Sequence, residues 1–303
     1  MLGLLALGAL FVAGCDSPAP PSATIPRIVC TTGMVADVVR HIAGPHAQVV
    51  ALMGEGVDPH LYKPSPGDVR LLSDADLIVY SGLHLEGKMG EVLEQLSRTK
   101  PVIAVAEHID PARLMAVDGA HDPHVWFDVE LWSQTIAPVQ DALTRYAPAH
   151  AADFAANADA YRVRLLALHA EARDALAALP PEARVLVTAH DAFGYFGRAY
   201  GLEVHAIQGL STDSEAALKD INALVDLLVA RRIPAVFVET SVPPRTIEAL
   251  REGCRARGHE VRVGGSLFSD AMGAPGTPEG TYEGMVRHNV RTILEGLAAP
   301  DRR

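Results

Sequence analysis

PAHAADFAANADAYRVRLLALHAEARDALAAL, residues Pro148 to Leu179, is the stretch on which the reading of the fold turns. From Ala149 onward it holds neither glycine nor proline, and alanine is its commonest residue. Phe154, Ala158, Tyr161, Leu165, Leu168, Ala172, Ala175 and Leu179 recur at alternating steps of four and three, which draws one apolar stripe along a helix. Pro148 suits a first helical turn, and Pro180-Pro181 closes the run. At about 1.5 Å per residue the helix would extend roughly 48 Å, well beyond the usual globular length. Similar strand–helix patterns lie on either side. The spacing therefore predicts an α/β protein of two lobes, 27–147 and 180–303, joined by one stiff backbone helix over 148–179.

Upstream of that helix, Arg27–Thr31, Gln48–Met53, Leu77–Tyr80 and Val102–Val105 read as strands, and 34–43, 69–72 and 88–97 as helices. Downstream, strands are predicted at 184–188, 203–207, 235–239 and 260–263, with helices at 192–200, 214–231, 244–257 and 281–297. Alternation at this spacing indicates parallel βαβ units. A weak internal repeat agrees: Arg27–Thr31, a helix and Gly44 can be laid on Arg184–Thr188, a helix and Gly201, at one constant offset. On that overlay Gly33 falls opposite His190, so the lobes are not functionally equivalent.

The chain has 303 residues, 49% of them hydrophobic, which can bury two cores of ordinary size. A net charge of −11 argues against a nucleic-acid partner, which calls for basic patches. Met1 to Gly14 is apolar and uncharged but too short to span a bilayer, as in the apolar region of a signal peptide. It ends in Val12-Ala13-Gly14-Cys15, which resembles a bacterial lipobox and makes Cys15 the lipid-attachment residue. The run lacks the Lys or Arg that normally precedes such a segment. Residues 15–26, with Pro18, Pro20, Pro21 and Pro26, then form a lipidated tether. Durable attachment takes more than one acyl chain. The mature chain is expected outside the cytoplasmic membrane. Cys30 and Cys254 fall in opposite lobes and are expected as buried free thiols.

Position must sort the 13 histidines. Four residues lie where strands give way to loops, the usual place for ligands in α/β folds. These are His60 in Gly54–Pro64, His124 in Asp122–Asp128, His190 directly after Val185–Ala189, and Asp270 in Ser266–Gly273. Asp58-Pro59-His60 and Asp122-Pro123-His124 repeat one tripeptide, and each Asp could accept an imidazole N–H and set the tautomer, a placement that only the fold decides. Three imidazoles and a carboxylate suit a borderline divalent metal. Their wide separations match no finger motif, so only tertiary folding can assemble them. Read singly, each histidine also fits a capping, surface or core role. Glu239, ending Val236–Glu239, reads either as an acceptor for a ligand imidazole or as a partner of Arg245. His84, His121 and His205 lie near candidate loops. His41, His46, His108, His150, His169, His259 and His288 carry no supporting context.

From about 27 to 297 the chain resembles the zinc/manganese solute-binding proteins of bacterial ABC transporters, the TroA-like (cluster A-I) receptors with a helical backbone. The matching stretches are Gly56–His60 through Pro64, Asp122–Trp126, Thr188–Phe196 and Ser269–Gly273. The resemblance implies a metal in the cleft between lobes, held by His60 and His124 from the first and by His190 and Asp270 from the second. It implies a monomeric receptor, not an enzyme, that carries Zn²⁺ or Mn²⁺ as cargo to a membrane permease. The backbone helix would restrict the motion to small tilts and loop changes. Zinc-dedicated relatives often carry a His-rich insertion, which this chain lacks; manganese-dedicated ones often have Glu where His190 stands. Binding of both metals is expected, weakening as pH falls through the imidazole range at about 6.5. A zinc hydrolase using Glu239 as base is the alternative, although no His-Glu-x-x-His helix is present. A surface adhesin is another, although no adhesive repeat is present.

Overall fold

The computed structural model describes residues 25–298 except 118 and 214–216; the signal segment, Cys15 and most of the tether lie outside the described residues. Ile28-Val29-Cys30 and Leu77-Ile78-Val79 are apolar runs without alternation, as strands covered on both faces require. They become the inner strands of the first lobe. The order is β1 (Arg27–Cys30), α1 (Gly33–Ala43), β2 (Gln48–Ala51), α2 (Pro66–Ser73), β3 (Leu77–Tyr80), α3 (Gly90–Ser97) and β4 (Val102–Ala104). These strands form one parallel sheet in the order β2-β1-β3-β4. Thr32 opens α1 by accepting the Val35 N–H, and Gly44, at φ 55°, closes it. Ser65 and Asp68 form a capping box that starts α2 earlier than the apolar residues alone suggest.

Between the sheet and the long helix lie a two-residue hairpin, β5 (Ala116–Val117) and β6 (Ala120–His121), then α4 (Val129–Trp132) and α5 (Ile136–Tyr146). The sequence reading missed these elements. Pro138 reads as a breaker, yet it sits in the first turn of α5, where its missing N–H has no intrahelical partner to lose.

The long helix is α6 (Ala151–Leu176), 26 residues, preceded by a 3₁₀ turn Pro148–His150. It is shorter than the predicted 148–179 because His150, at φ −107° and ψ 13°, leaves helical geometry. Its buried side is the predicted stripe, Phe154 through Ala172, with Leu176 taking the place of the half-buried Ala175. Each large apolar side chain on it contributes roughly 1.5–3 kcal/mol by burial.

The second lobe follows as β7 (Val185–His190), α7 (Gly194–Tyr200), β8 (Glu203–Gln208), α8 (Leu218–Arg231), β9 (Ala235–Glu239), α9 (Arg245–Ala256), β10 (Arg262–Leu267) and α10 (Tyr282–Leu297). β7 pairs with β8 and β9 with β10, all parallel, and β7 lies against β9. The second lobe thus has two parallel two-stranded ladders, β8-β7 and β9-β10, set side by side, where the first has one four-stranded sheet. Cys30 and Cys254 are buried and unpaired.

In place of two separate cores, one large cluster runs from Ile28 to Leu297 and is shared through α6; a smaller satellite lies in each lobe. The reason is that α6 touches α1, α4 and α5 of the first lobe as well as α7 and α10 of the second. At its middle, Tyr161 donates to Asp37 Oδ1 at 2.6 Å, and the Tyr282 N–H donates to Asp37 Oδ2 at 3.3 Å. His41 stacks on Tyr161 at 4.1 Å and lies 3.1 Å from Asp37 Oδ1. Burial opposes ionisation of Asp37, but His41, Tyr161 and Tyr282 outweigh it and lower its pKa; burial likewise opposes the His41 cation, and Asp37 outweighs it and raises that pKa.

The sign of each shift sets a pH window. The Asp37 contribution is present above its ordinary 3.8 and fades as pH falls through the lowered value; the His41 contribution is present below 6.5 and fades as pH rises through the raised one. His41→Ala is therefore expected to cost about 1 kcal/mol more at about pH 5.5 than at about pH 9. Urea melts of both proteins at both pH values measure this. An equal difference at the two would show that the pair is not ionised as described.

Candidate metal centre

The parallel strands of both lobes aim their C-terminal ends at the space between them. His60 lies on the loop after β2, His190 is the last residue of β7, and Asp270 follows β10. His124 instead follows the small hairpin and precedes a 3₁₀ turn, Val125–Phe127. All four are buried, at 6%, 0%, 0% and 2% exposure for His60, His124, His190 and Asp270. Folding brings them together, with one ligand atom from each lying within 4.8 Å of the others. His60 Nε2 is 3.3 Å from His124 Nε2 and 3.9 Å from Asp270 Oδ2. Asp270 Oδ1 is 3.5 Å from His124 Nε2, and its Oδ2 is 3.2 Å from His190 Nε2. Donors at about 2.0–2.1 Å around a tetrahedral ion stand about 3.3 Å apart, so the spacing suits one small cation. Both Asp270 oxygens and His190 Nε2 are buried without a hydrogen-bond partner of sound geometry. Such orphaned atoms are costly unless something they can bind lies between them.

Outer contacts set the inner tautomers. His124 Nδ1 meets Asp122 Oδ1 at 2.8 Å, and the same oxygen accepts the His124 backbone N–H at 2.9 Å. A carboxylate can only accept, so Nδ1 carries the proton and the Nε2 lone pair faces inward. His190 is held the same way by Glu239, whose Oε2 lies 2.5 Å from Nδ1. Glu239 Oε1 also accepts the backbone N–H groups of Ala189 and His190, at 2.8 and 2.9 Å. Glu239 thus serves the imidazole and not Arg245.

Asp58 departs from the expected symmetry. Its Oδ1 accepts the His60 backbone N–H at 2.8 Å, while its Oδ2 takes the Thr212 hydroxyl at 2.5 Å. The His60 ring is not its partner: Asp58 ties the His60 backbone to Thr212 of the opposite lobe, where Asp122 holds both the backbone and the ring of His124.

Electrostatics follow from this packing. Burial drives the His60 pKa down to about 4 despite the pull of Asp270. Burial alone would also lower His190, but Asp270 and Glu239 flank it and raise its pKa well above the ordinary value. Burial alone would raise Asp270, yet His190, His124 and His60 outweigh it and hold the carboxyl far below the usual carboxylate range.

Several supports went unnoticed in the sequence. Trp126 Nε1 donates across the cleft to the Ser269 carbonyl at 3.0 Å, and Tyr282 donates to the Trp126 carbonyl at 2.6 Å. Asn289 pairs with both backbone groups of Phe268, at 2.7 and 3.0 Å, which fixes the start of the Asp270 loop. Tyr195 donates to the Asp122 carbonyl at 3.1 Å and accepts the Met115 N–H at 2.9 Å. Trp126 and Tyr195 fall inside the quoted motifs, and their rings were the available signal. Gly33 packs directly under Met272 of the Asp270 loop: a Cβ there would stand 3.0 Å from Met272 Cε.

Two α/β lobes donating buried side chains to one point from either side of a long helix define a cleft-type solute-binding protein. Residues 28–296 match the family model "ZnuA: Zinc-uptake complex component A periplasmic", and the chain belongs to that family. It is 50% identical over 274 residues to the zinc-binding protein TroA of Treponema pallidum, covering 90% of this chain and 89% of that one. It is 48% identical over 296 residues to the manganese-binding lipoprotein MntA of Bacillus subtilis, covering 97% of each. The solved structure of the periplasmic zinc-binding protein TroA from Treponema pallidum superposes with a TM-score of 0.89 at 49% identity, covering 91% of this chain and all, 100%, of that one.

Proposed function

We propose that this chain is the extracytoplasmic receptor of an ABC importer, capturing Zn²⁺ or Mn²⁺ on His60, His124, His190 and Asp270 and passing it to a membrane permease. The observation that carries this reading is the convergence of three imidazoles and one carboxylate, all buried between the lobes with a ligand atom of each within 4.8 Å of the others. The relatives named for zinc and for manganese support both cargoes. On this reading Asp122 and Glu239 orient ligand rings, Asp58 holds the His60 loop, and the protein acts as a monomer tethered through lipid on Cys15. Among the described residues no helix is long and apolar enough to cross a membrane.

The hydrolase alternative needs an open coordination position and a free base. Four protein donors already face the centre, and Glu239 is engaged by two backbone N–H groups and the His190 ring. The geometry favours holding an ion over activating water. Nothing in the fold favours the adhesin reading.

The test is metal analysis of the purified protein followed by Zn²⁺ and Mn²⁺ competition. One tightly held ion per chain is expected, with Zn²⁺ displacing Mn²⁺ because imidazole donors follow the Irving–Williams order. Failure to retain either metal would end the proposal.

A further inference from the structure

We propose that His46, His150 and Asp153 form a second site for a divalent transition metal, accessible to solvent and separate from the cleft. His46 precedes β2 by two residues, whereas His60 lies on the loop that follows it, so the two histidines stand beyond opposite ends of that strand. His46 ends the 3₁₀ turn Gly44–His46, His150 caps α6, and Asp153 lies in the first turn of that helix.

His46 Nε2 is 3.0 Å from Asp153 Oδ2, and His150 Nδ1 is 3.9 Å from the same oxygen. Ligand atoms of all three lie within 4.8 Å of one another. The two imidazoles stack with centroids 3.8 Å apart and planes at 22°. Both rings present to Phe154 at steep angles, at 5.8 and 6.2 Å, and Phe154 is itself buried. One turn further along α6, Asn157 donates to the Ile42 carbonyl at 3.1 Å, which fastens the end of α1, and with it the His46 turn, to the helix. The donors therefore sit on a fixed floor.

An ordinary hydrogen bond from His46 to Asp153 accounts for one contact. It does not account for a second imidazole stacked on the first with its nitrogen turned toward the same oxygen. Two imidazoles and one carboxylate, with the remaining positions open to water, are a recurrent donor set for first-row divalent metals. Nitrogen donors favour Cu²⁺, Ni²⁺ and Zn²⁺ over Mn²⁺. Side-chain exposures of 23%, 43% and 60% for His46, His150 and Asp153 make this the weaker and more exchangeable site. A bound ion would join the α1–β2 corner to the start of α6.

Equilibrium dialysis of the full chain against Zn²⁺ tests the proposal. Two equivalents are expected, one tight and one weaker; Mn²⁺ should fill only the tight site. His46→Gln with His150→Gln should abolish the weaker equivalent and keep the tight one. Asp153→Asn, an exposed and conservative change, should weaken it by at least about 10-fold with the circular dichroism spectrum unchanged. Asp270→Ala should do the converse, weakening the tight equivalent by about 10²–10⁴-fold and leaving the affinity of the weaker one unchanged, which separates failure of this site from failure of the cleft site. A single Zn²⁺ equivalent in the unaltered chain would overturn the proposal. So would a second one that survives the double substitution or disappears with Asp270.

Discussion

Asp270→Ala is expected to lower Zn²⁺ affinity by about 10²–10⁴-fold, the scale of about 3–5 kcal/mol for leaving buried charge uncompensated. Asp270 supplies the only carboxylate among the four converging groups, and both its oxygens face the other donors. Without it three buried imidazoles would meet a dication with no anion to offset it. The metal-free protein should lose stability as well, because Asp270 also pairs with His190, whose cation it favours. Thermal melts separate the two effects, since the rise in Tm on adding Zn²⁺ scales with the logarithm of affinity. An unchanged Zn²⁺-induced rise would remove Asp270 from the metal's ligands and the proposed site with it.

Glu239→Ala should damage stability and binding together. Its carboxylate accepts two buried backbone N–H groups as well as the His190 ring. Each orphaned group costs about 1–3 kcal/mol, so a loss of about 3–5 kcal/mol is expected for the metal-free chain. Zn²⁺ affinity should fall about 10–100-fold as His190 loses its orientation. Glu239→Gln separates the two roles. Its amide oxygen can still accept from the backbone, so most of the stability should return. Only one carbonyl oxygen remains for three donors, however, so binding should stay impaired. Chemical denaturation and Zn²⁺ titration of both variants measure this. Equal affinity in all three proteins would mean that Glu239 has only a structural role.

The legible parts of this protein are those written in local pattern. The stripe from Phe154 to Ala172 marked α6 because helical periodicity needs no partner to be recognised. The apolar runs at β1, β3, β7 and β9 marked buried strands for the same reason. The four converging residues were readable because Gly, Pro and Asp mark the strand-end loops, and because the motifs resemble one family's.

What stayed hidden depends on contacts between distant segments. Asp58 bonds to Thr212, 154 residues away in the chain, and not to the His60 ring that the repeated tripeptide suggested. Tyr161 joins the local Asp37–His41 pair of α1 only once α1 lies on α6. His46 and His150 look unremarkable until two turns far apart in the chain bring their rings into a stack. The start of α6 lies later than the pattern suggests because composition carries no trace of the backbone angles at His150.

The large apolar cluster runs unbroken from Ile28 to Leu297, with α6 inside it. Thermodynamically, the lobes are then not independent folding units. Loosening one strips Phe154, Tyr161 and Leu165 of neighbours on which the other also relies. Cooperativity extends through the whole molecule, and damage at either end is felt as a lower melting point of the whole.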